Sequence, residues 1–276
     1  MAGRVIDPIM TDAKKLLDKK EIIGRCALFL ERYLFPVFFG YFAFGRFALI
    51  YRLAPGLPVL LQRIVSGGSP TTDIYFLARF LSDLFLGIFK AMVMVSLLMP
   101  RKVYRKPESF QDIFVPVLAT LFYLFYAPIN NLSPRINFVM LPKAAIIPAA
   151  LIGSLIALAG CIISMLAAFS LRRSYAVFVE VRETVFHGLY QYVRHPIYFG
   201  YILIWGGLFL ASPRFLFLVL NLLGAWILIY RARLEESKLA DVFPDYRRYM
   251  AKTPFLLPFS AKLLAVLPAW VRKLLG

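Results

Sequence analysis

Charge is scarce in this chain. Asp, Glu, Lys and Arg make up only 17% of its 276 residues, where an ordinary soluble domain carries about 25%. Apolar residues make up 61% and aromatics 16%. That balance excludes an ordinary soluble domain and points to a polytopic membrane protein. Cysteine is scarcer still. Cys26 and Cys161 both sit in apolar runs, so there is no disulfide framework and no metal-ligand spacing, and both read as small core residues. The N-terminal stretch MAGRVIDPIMTDAKKLLDKKE is too polar for a secretory signal, and no apolar region with a small-residue cleavage site follows it. It is expected to stay in the mature protein.

What is abundant is the long apolar run. A spanning helix needs about 20 mostly apolar residues. Six stretches qualify as candidates: Tyr33–Tyr51, Tyr75–Met99, Ile113–Ile129, Ala144–Leu171, Pro196–Ser212 and Phe215–Tyr230. The fourth is the clearest. The last two are short and separated only by Pro213-Arg214, which reads as a tight helical hairpin, because Pro213 would break a continuous helix. The expected fold is therefore all-α, a polytopic transmembrane bundle of about six spans.

The net charge of +17 follows the same plan. Of the 32 Lys and Arg, 24 fall in segments 1–32, 100–112, 172–195 and 231–276, and five in the alternate loops. That asymmetry matches the positive-inside rule with both termini cytoplasmic. The basic charge is thus topological, with a contribution from contacts to anionic membrane lipids, and no nucleic-acid partner is expected. Apolar residues at helical spacing, Ile9, Ala13, Leu16 and Leu17 near one end and Leu263 to Leu274 near the other, fit helices lying in the headgroup layer or packed on the cytoplasmic face. Within the second span, Arg79, Asp83 and Lys90 share a helical face. Intramembrane charges usually pair or line a polar cavity. An Arg79–Asp83 ion pair with Lys90 satisfied inside the bundle is expected, against a headgroup or substrate contact. The alternation around Val177–Val181 is too short for a sheet.

Two polar blocks bracket the last hairpin. The first is QYVRHPIYFGY, residues 191–201, where one of only two histidines stands beside Arg194 at the threshold of an apolar helix. Proline disfavours helix at the residue before it and suits the first helical turn. His195 is therefore a turn or cap residue, and the helix begins near Pro196. Its free N–H groups and Arg194 form an anion site. Gly188, Tyr190, Tyr192, Tyr198, Gly200 and Tyr201 surround it, the glycines permitting close approach of a ligand. The second block is YRARLEESKLADVFPDYRRY, residues 230–249, a helix continuing out of the membrane. A hairpin brings Arg231, Glu235 and Glu236 to the end that carries Arg194 and His195. Such a mixture suits a zwitterion: arginine for a carboxylate, glutamate for an ammonium or ribose, aromatic faces for a sulfonium. It does not by itself single out one cofactor, and a solvated basic rim with local salt bridges remains the plain alternative.

The spacing Gly188-x-Tyr190-x-x-x-Arg194-His195-Pro196-x-Tyr198-x-Gly200 resembles the signature of the isoprenylcysteine carboxyl methyltransferases, much of which is shared by related phospholipid methyltransferases. Arg231…Glu235-Glu236-x-x-Leu239…Phe243…Tyr246-x-x-Tyr249…Pro254 is similar to that family's tail. The resemblance covers roughly residues 170–258. It implies an integral membrane methyltransferase using S-adenosyl-L-methionine on a lipophilic small-molecule or lipid substrate. By the same resemblance, Gly188, Tyr190, His195, Pro196, Tyr198, Gly200, Glu235 and Glu236 form a cytoplasmic cofactor site, and Arg194, Arg231 and Glu236 do the work at the substrate end. There is one departure. Prenylcysteine-specific members tend to carry a histidine six residues before the signature glycine, where this chain has Arg182.

The implied organisation is an amphipathic N-terminal segment (1–32), N-terminal transmembrane helices (33–143), a methyltransferase-like core (144–258) and an amphipathic tail (259–276). Two other readings compete. Sterol-type reductases using NADPH carry a similar R-H-P-x-Y-x-G element, which leaves the Arg231–Glu236 tail to favour methyl transfer. The charges within the second span motivate a scaffold or transporter.

Overall fold

A computed structural model describes residues 8–66, 70–99, 102–125 and 132–257, with the side chains of 8–18 outside that description. The apolar face expected at 9–17 and the tail at 259–276 therefore lie outside the described residues.

The chain begins as one long helical run. Helix α1 (Pro8–Phe29) passes through a π-helical turn, Leu30–Leu34, into α2 (Phe35–Leu53), then through Ala54–Gly56 into α3 (Leu57–Val65). Pro36 and Pro58 cause no break because each falls in the first turn of its helix, where no intrahelical N–H is needed. The remaining helices are α4 (Pro70–Leu98), α5 (Phe110–Leu121), α6 (Lys143–Leu171), α7 (Pro196–Ala211), α8 (Phe215–Val242) and α9 (Pro244–Lys252). Ser109 and Asp112 start α5 with a capping box, satisfying two orphan donors reciprocally.

Four stretches are long and apolar enough to cross a bilayer: Lys19–Val65, Thr72–Leu98, Lys143–Leu171 and Phe215–Val242. The helices Phe110–Leu121 and Pro196–Ala211 are apolar but shorter, below the roughly 20 residues a full crossing takes. The architecture is an all-α membrane bundle with spans of unequal length. Arg105 and Val181 make one isolated bridge, and the described residues contain no strand, in keeping with the brief alternation at 177–181.

The hairpin breaks where proline demands. Helix α7 stops at Ala211 and α8 starts at Phe215. The Pro213 carbonyl accepts a hydrogen bond from Met140 N at 2.8 Å, and Phe215 N donates to the Phe138 carbonyl at 3.0 Å. The two arms are nevertheless less intimate than a tight hairpin suggests, because α7 packs chiefly on α6. Gly153, Ala157, Gly160 and Ser164 of α6 meet Gly200 and Gly207 of α7 so closely that a Cβ on Gly160 would lie 2.6 Å from the Gly200 carbonyl oxygen. Small residues drive helix association in lipid because they let backbones approach. Helix α4 lies between this pair and α2, burying Phe89, Val93 and Leu97 against them.

The intramembrane charges are paired, as expected for two of them, with a third partner. The Arg79 Nε lies 3.6 Å from Asp83 Oδ2, and Arg46 of α2 donates to Asp83 Oδ1. Lys90 is buried, its Nζ 4.6 Å from the centre of the Phe42 ring.

Candidate active site

The first polar block is a turn held from both sides. Gly188 adopts φ +65, a left-handed conformation that costs a glycine little, and starts the short 3-10 turn Gly188–Gln191. The chain then reaches His195, the residue before α7, with φ −125 and ψ 61. As expected, proline at 196 sets the helix start there. Two backbone N–H groups of the turn are claimed by the segment after α9: Arg194 N donates to the Pro254 carbonyl at 3.0 Å, and His195 N to that of Phe255 at 3.2 Å. Phe255 is fully buried. Its ring meets His195 edge-on at 5.1 Å and lies under Arg194 and Arg233 at 5.4 and 4.2 Å.

The second block supplies two carboxylates, one for each half of the site. Adjacent helical residues point about 100° apart, so Glu235 and Glu236 of α8 serve different partners. The Glu236 Oε1 lies 3.1 Å from both His195 Nε2 and Arg194 Nε. Glu235 Oε1 accepts from Tyr198 OH at 2.6 Å and from Arg231 Nε at 2.9 Å. The two halves are stacked together: the His195 and Tyr198 rings lie nearly parallel at 5.3 Å, and the Arg231 guanidinium sits 5.4 Å from the Tyr198 centroid. Arg194, His195, Arg231 and Glu236 are all buried. Buried charges persist only when paired and hydrogen-bonded. The blocks are therefore one cluster rather than a solvated rim.

This cluster closes one end of a cavity of about 650 Å³, within the range typical of small-molecule sites. His195, Tyr198, Arg231, Glu235, Tyr246 and Tyr249 are on its wall, which continues past Phe89, Ile204, Trp205 and Leu228. Burial pushes up the pKa of the Tyr190, Tyr246 and Tyr249 hydroxyls, reinforced by Glu235 at Tyr190 and by Glu236 at Tyr246. These hydroxyls keep their protons at neutral pH and act as donors; Tyr249 OH donates to the Tyr190 carbonyl. Among the described residues no group of His, Cys, Asp and Glu could hold a metal ion.

Not every residue singled out from the sequence reaches the wall. Tyr190, Arg194, His195, Tyr198, Arg231 and Glu235 do. Glu236 is 2% exposed and sits behind it, anchoring Arg194 and His195. The anion site expected of Arg194 is in large part filled by that carboxylate. Gly188 and Gly200 face α6, at Ser170 and Ser164 respectively. Their missing side chains admit a helix rather than a ligand. Pro196 sets the helix start.

The structure adds residues that the sequence did not single out. Glu31, in the π-helical turn, pairs with Arg182 at 2.9 Å and accepts from Val177 N at 2.7 Å. Arg182 also holds Glu180, and Arg182 and Glu180 both line the cavity. The only signal in the sequence was a lone glutamate after an apolar run. Loop 102–109 is fastened nearby. Arg105 bridges Glu108 and Asp241, and the hydrogen bond from Arg105 holds the Glu108 carboxyl down to about 2.

A modest substitution probes the Glu235 half. Tyr198→Phe keeps the ring stack but removes the hydroxyl. Leaving one carboxylate oxygen short of a donor costs about 1–3 kcal/mol, so the stability measured by unfolding in detergent is expected to fall by that amount. Unchanged stability would show that the Tyr198–Glu235 bond contributes nothing.

Two blocks meeting at the mouth of an apolar helical bundle is the arrangement on which the comparisons bear. Residues 149–241 match the isoprenylcysteine carboxyl methyltransferase (ICMT) family. The chain is also similar to methanethiol S-methyltransferase 1 of Bradyrhizobium diazoefficiens, 36% identical over 73 residues. That match covers 26% of this chain, and the chain spans only 25% of the relative's length. The ICMT-family segment contains α7, the hairpin turn, nearly all of α8 and most of α6. The resemblance carried by the two blocks thus holds as membership of an ICMT-like family of membrane methyltransferases, and it rests on that segment. Helices α1–α5 lie outside it.

Proposed function

We propose that the protein is a membrane methyltransferase that uses S-adenosyl-L-methionine on a lipophilic acceptor. The observation that carries this reading is the convergence of Arg194-His195 and Glu235-Glu236 on one buried cluster at the end of a cavity with apolar walls.

The donor set fits this cofactor. Glu235 offers a carboxylate to an ammonium or a ribose hydroxyl, and Arg231 offers a guanidinium to a carboxylate. The rings of Tyr198, Tyr246 and Tyr249 offer faces to a sulfonium, an attraction of about 0.5–2 kcal/mol depending on desolvation. Bound there, the cofactor supplies an electrophilic methyl group, so the protein need only align and desolvate the acceptor. Orientation of this kind is worth up to about 7–11 kcal/mol. Glu236 acts one step back, fixing His195 and Arg194. A carboxylate acceptor would be held by Arg231 and needs no base. An amine or thiol must lose a proton, for which Glu235 or His195 is placed on the wall. The relative named for methanethiol favours keeping a small thiol among the acceptors, beside lipids, isoprenoids and prenylcysteine-like molecules. We further take the polar cluster to face the cytoplasm, which lets a water-soluble donor meet an acceptor dissolved in the bilayer.

The test is binding of S-adenosylmethionine to the purified full-length protein in detergent, with NADPH in parallel. Binding of the first alone is expected, along with transfer of labelled methyl to a total lipid extract. Folded protein that binds only NADPH would make it a reductase. Folded protein that binds neither would remove the proposal.

A further inference from the structure

The cavity has a second charged pole, remote from the first. Arg46 of α2 and Arg79 and Lys90 of α4 all line its wall. Asp83, 4% exposed, sits behind them, with one carboxylate oxygen engaged by Arg46 and the other near Arg79. Three cations thus face one carboxylate. The next acid on α4, Asp73, is 3.2 Å from Arg63 and does not offset them. The Phe42 ring near Lys90 polarises that ammonium without neutralising it. Each intramembrane charge costs roughly 2.5–3.5 kcal/mol on insertion scales, and the single charge of Asp83 balances one cation's worth.

The two poles belong to one cavity. Tyr198 and Ser212, at opposite ends of α7, both line it, and 14 residues of helix span about 21 Å. Between them the wall is apolar, with Leu86, Phe89, Ile204, Trp205 and Leu208. A ligand that matches this space has an anionic group at one end and hydrocarbon beside it.

We propose that Arg46, Arg79 and Lys90 form a binding site for the phosphate monoester of a lipid whose chain lies in the apolar part of the cavity. A phosphate monoester carries a charge of about −1.5 to −2 at neutral pH, which balances the surplus of these four residues. A single carboxylate would leave half of it. Planar guanidinium groups also suit phosphate oxygens, which they can hold in pairs. Inorganic phosphate shares the chemistry but lacks the chain, and the test separates the two. The proposal does not depend on methyl transfer.

The experiment is thermal unfolding of the full chain in non-ionic detergent, without added cofactor, in the presence of dioleoyl phosphatidic acid, dioleoylglycerol or inorganic phosphate. Saturating phosphatidic acid is expected to raise the Tm by about 4 °C or more, with no shift from dioleoylglycerol. An equal shift from dioleoylglycerol overturns the site. An equal shift from inorganic phosphate overturns the lipid assignment. The double variant Arg79→Gln/Lys90→Gln is expected to lose the shift and Lys90→Arg to keep it; a shift that persists in the double variant overturns the proposal. Should that variant fail to fold, native mass spectrometry of the wild-type protein decides. One retained phosphatidic acid, with no dioleoylglycerol, supports the site, and none retained removes it.

Discussion

Replacing Glu236 with alanine is expected to abolish binding of S-adenosylmethionine and to destabilise the folded protein by about 3–5 kcal/mol, the range for removing one partner of a buried ion pair. The size of the effect comes from what the carboxylate holds. Glu236 is the shared acceptor for Arg194 and His195, and Arg233 approaches its other oxygen at 3.8 Å. All but Arg233 are buried. Without the carboxylate, the buried Arg194 guanidinium loses its countercharge and falls back on weaker contacts, such as the face of Phe255 and a long 3.4 Å bond to the Met250 carbonyl. Glu236→Gln keeps the shape and a hydrogen-bond acceptor and should fall between the wild type and alanine. Glu235→Ala is the discriminating companion. Glu235 is less buried, and its loss should weaken cofactor binding more than it lowers stability. Unfolding in detergent and cofactor titration of the three variants check this. If Glu236→Ala remains as stable as the wild type, the buried cluster is not what holds the hairpin mouth together.

The contrast between adjacent glutamates shows how far the sequence could be read. Composition and apolar runs carry the membrane bundle, because a helix crossing lipid must be long and apolar whatever its neighbours are. The start of α7 was legible too, since proline at 196 acts on its immediate neighbour. The hairpin argument placed Arg194, His195, Arg231 and both glutamates at one end. It could not say which glutamate faces the cavity. That depends on the rotation of α8, and a helix that is polar on several sides at its end gives no phase. The glycines were misassigned for a related reason. A glycine beside a binding motif reads as room for a ligand, and only the packed structure shows that the space at Gly200 is taken by Ser164 of α6. Glu31 and Arg182 lie about 150 residues apart in the chain, and no local pattern joins them. Arg46 was visible as a charge in a span, but its pairing with Asp83 needs the contact between α2 and α4. Fold class thus follows from local chemistry, and the wall of the cavity from packing.

That packing gives the second large effect. Gly200→Leu is expected to prevent stable folding or to cost about 3 kcal/mol or more, at the upper end of what overpacking produces. A Cβ at this position would meet the Ser164 hydroxyl, lie 2.8 Å from the Gly160 carbonyl oxygen and 3.1 Å from Ser164 N. Two of these are backbone atoms of a helix, which cannot swing aside as a side chain does. Helix α7 would have to move off α6 and take Tyr198, one half-turn away, from Glu235, and with it His195 from Glu236. Activity should therefore fall even in whatever fraction folds. At Gly206, on the same helix, an added Cβ would find nothing within 4 Å, so Gly206→Leu is the matched control and should fold with its cofactor affinity intact. Gly200→Ala together with Ser164→Ala removes the hydroxyl collision but keeps the backbone one, and should recover only part of the loss. Thermal unfolding and cofactor binding measured on these variants decide the matter: a Gly200→Leu protein as stable as Gly206→Leu would mean that α6 and α7 do not meet at this face, and the placement of the cluster on α7 would fall with it.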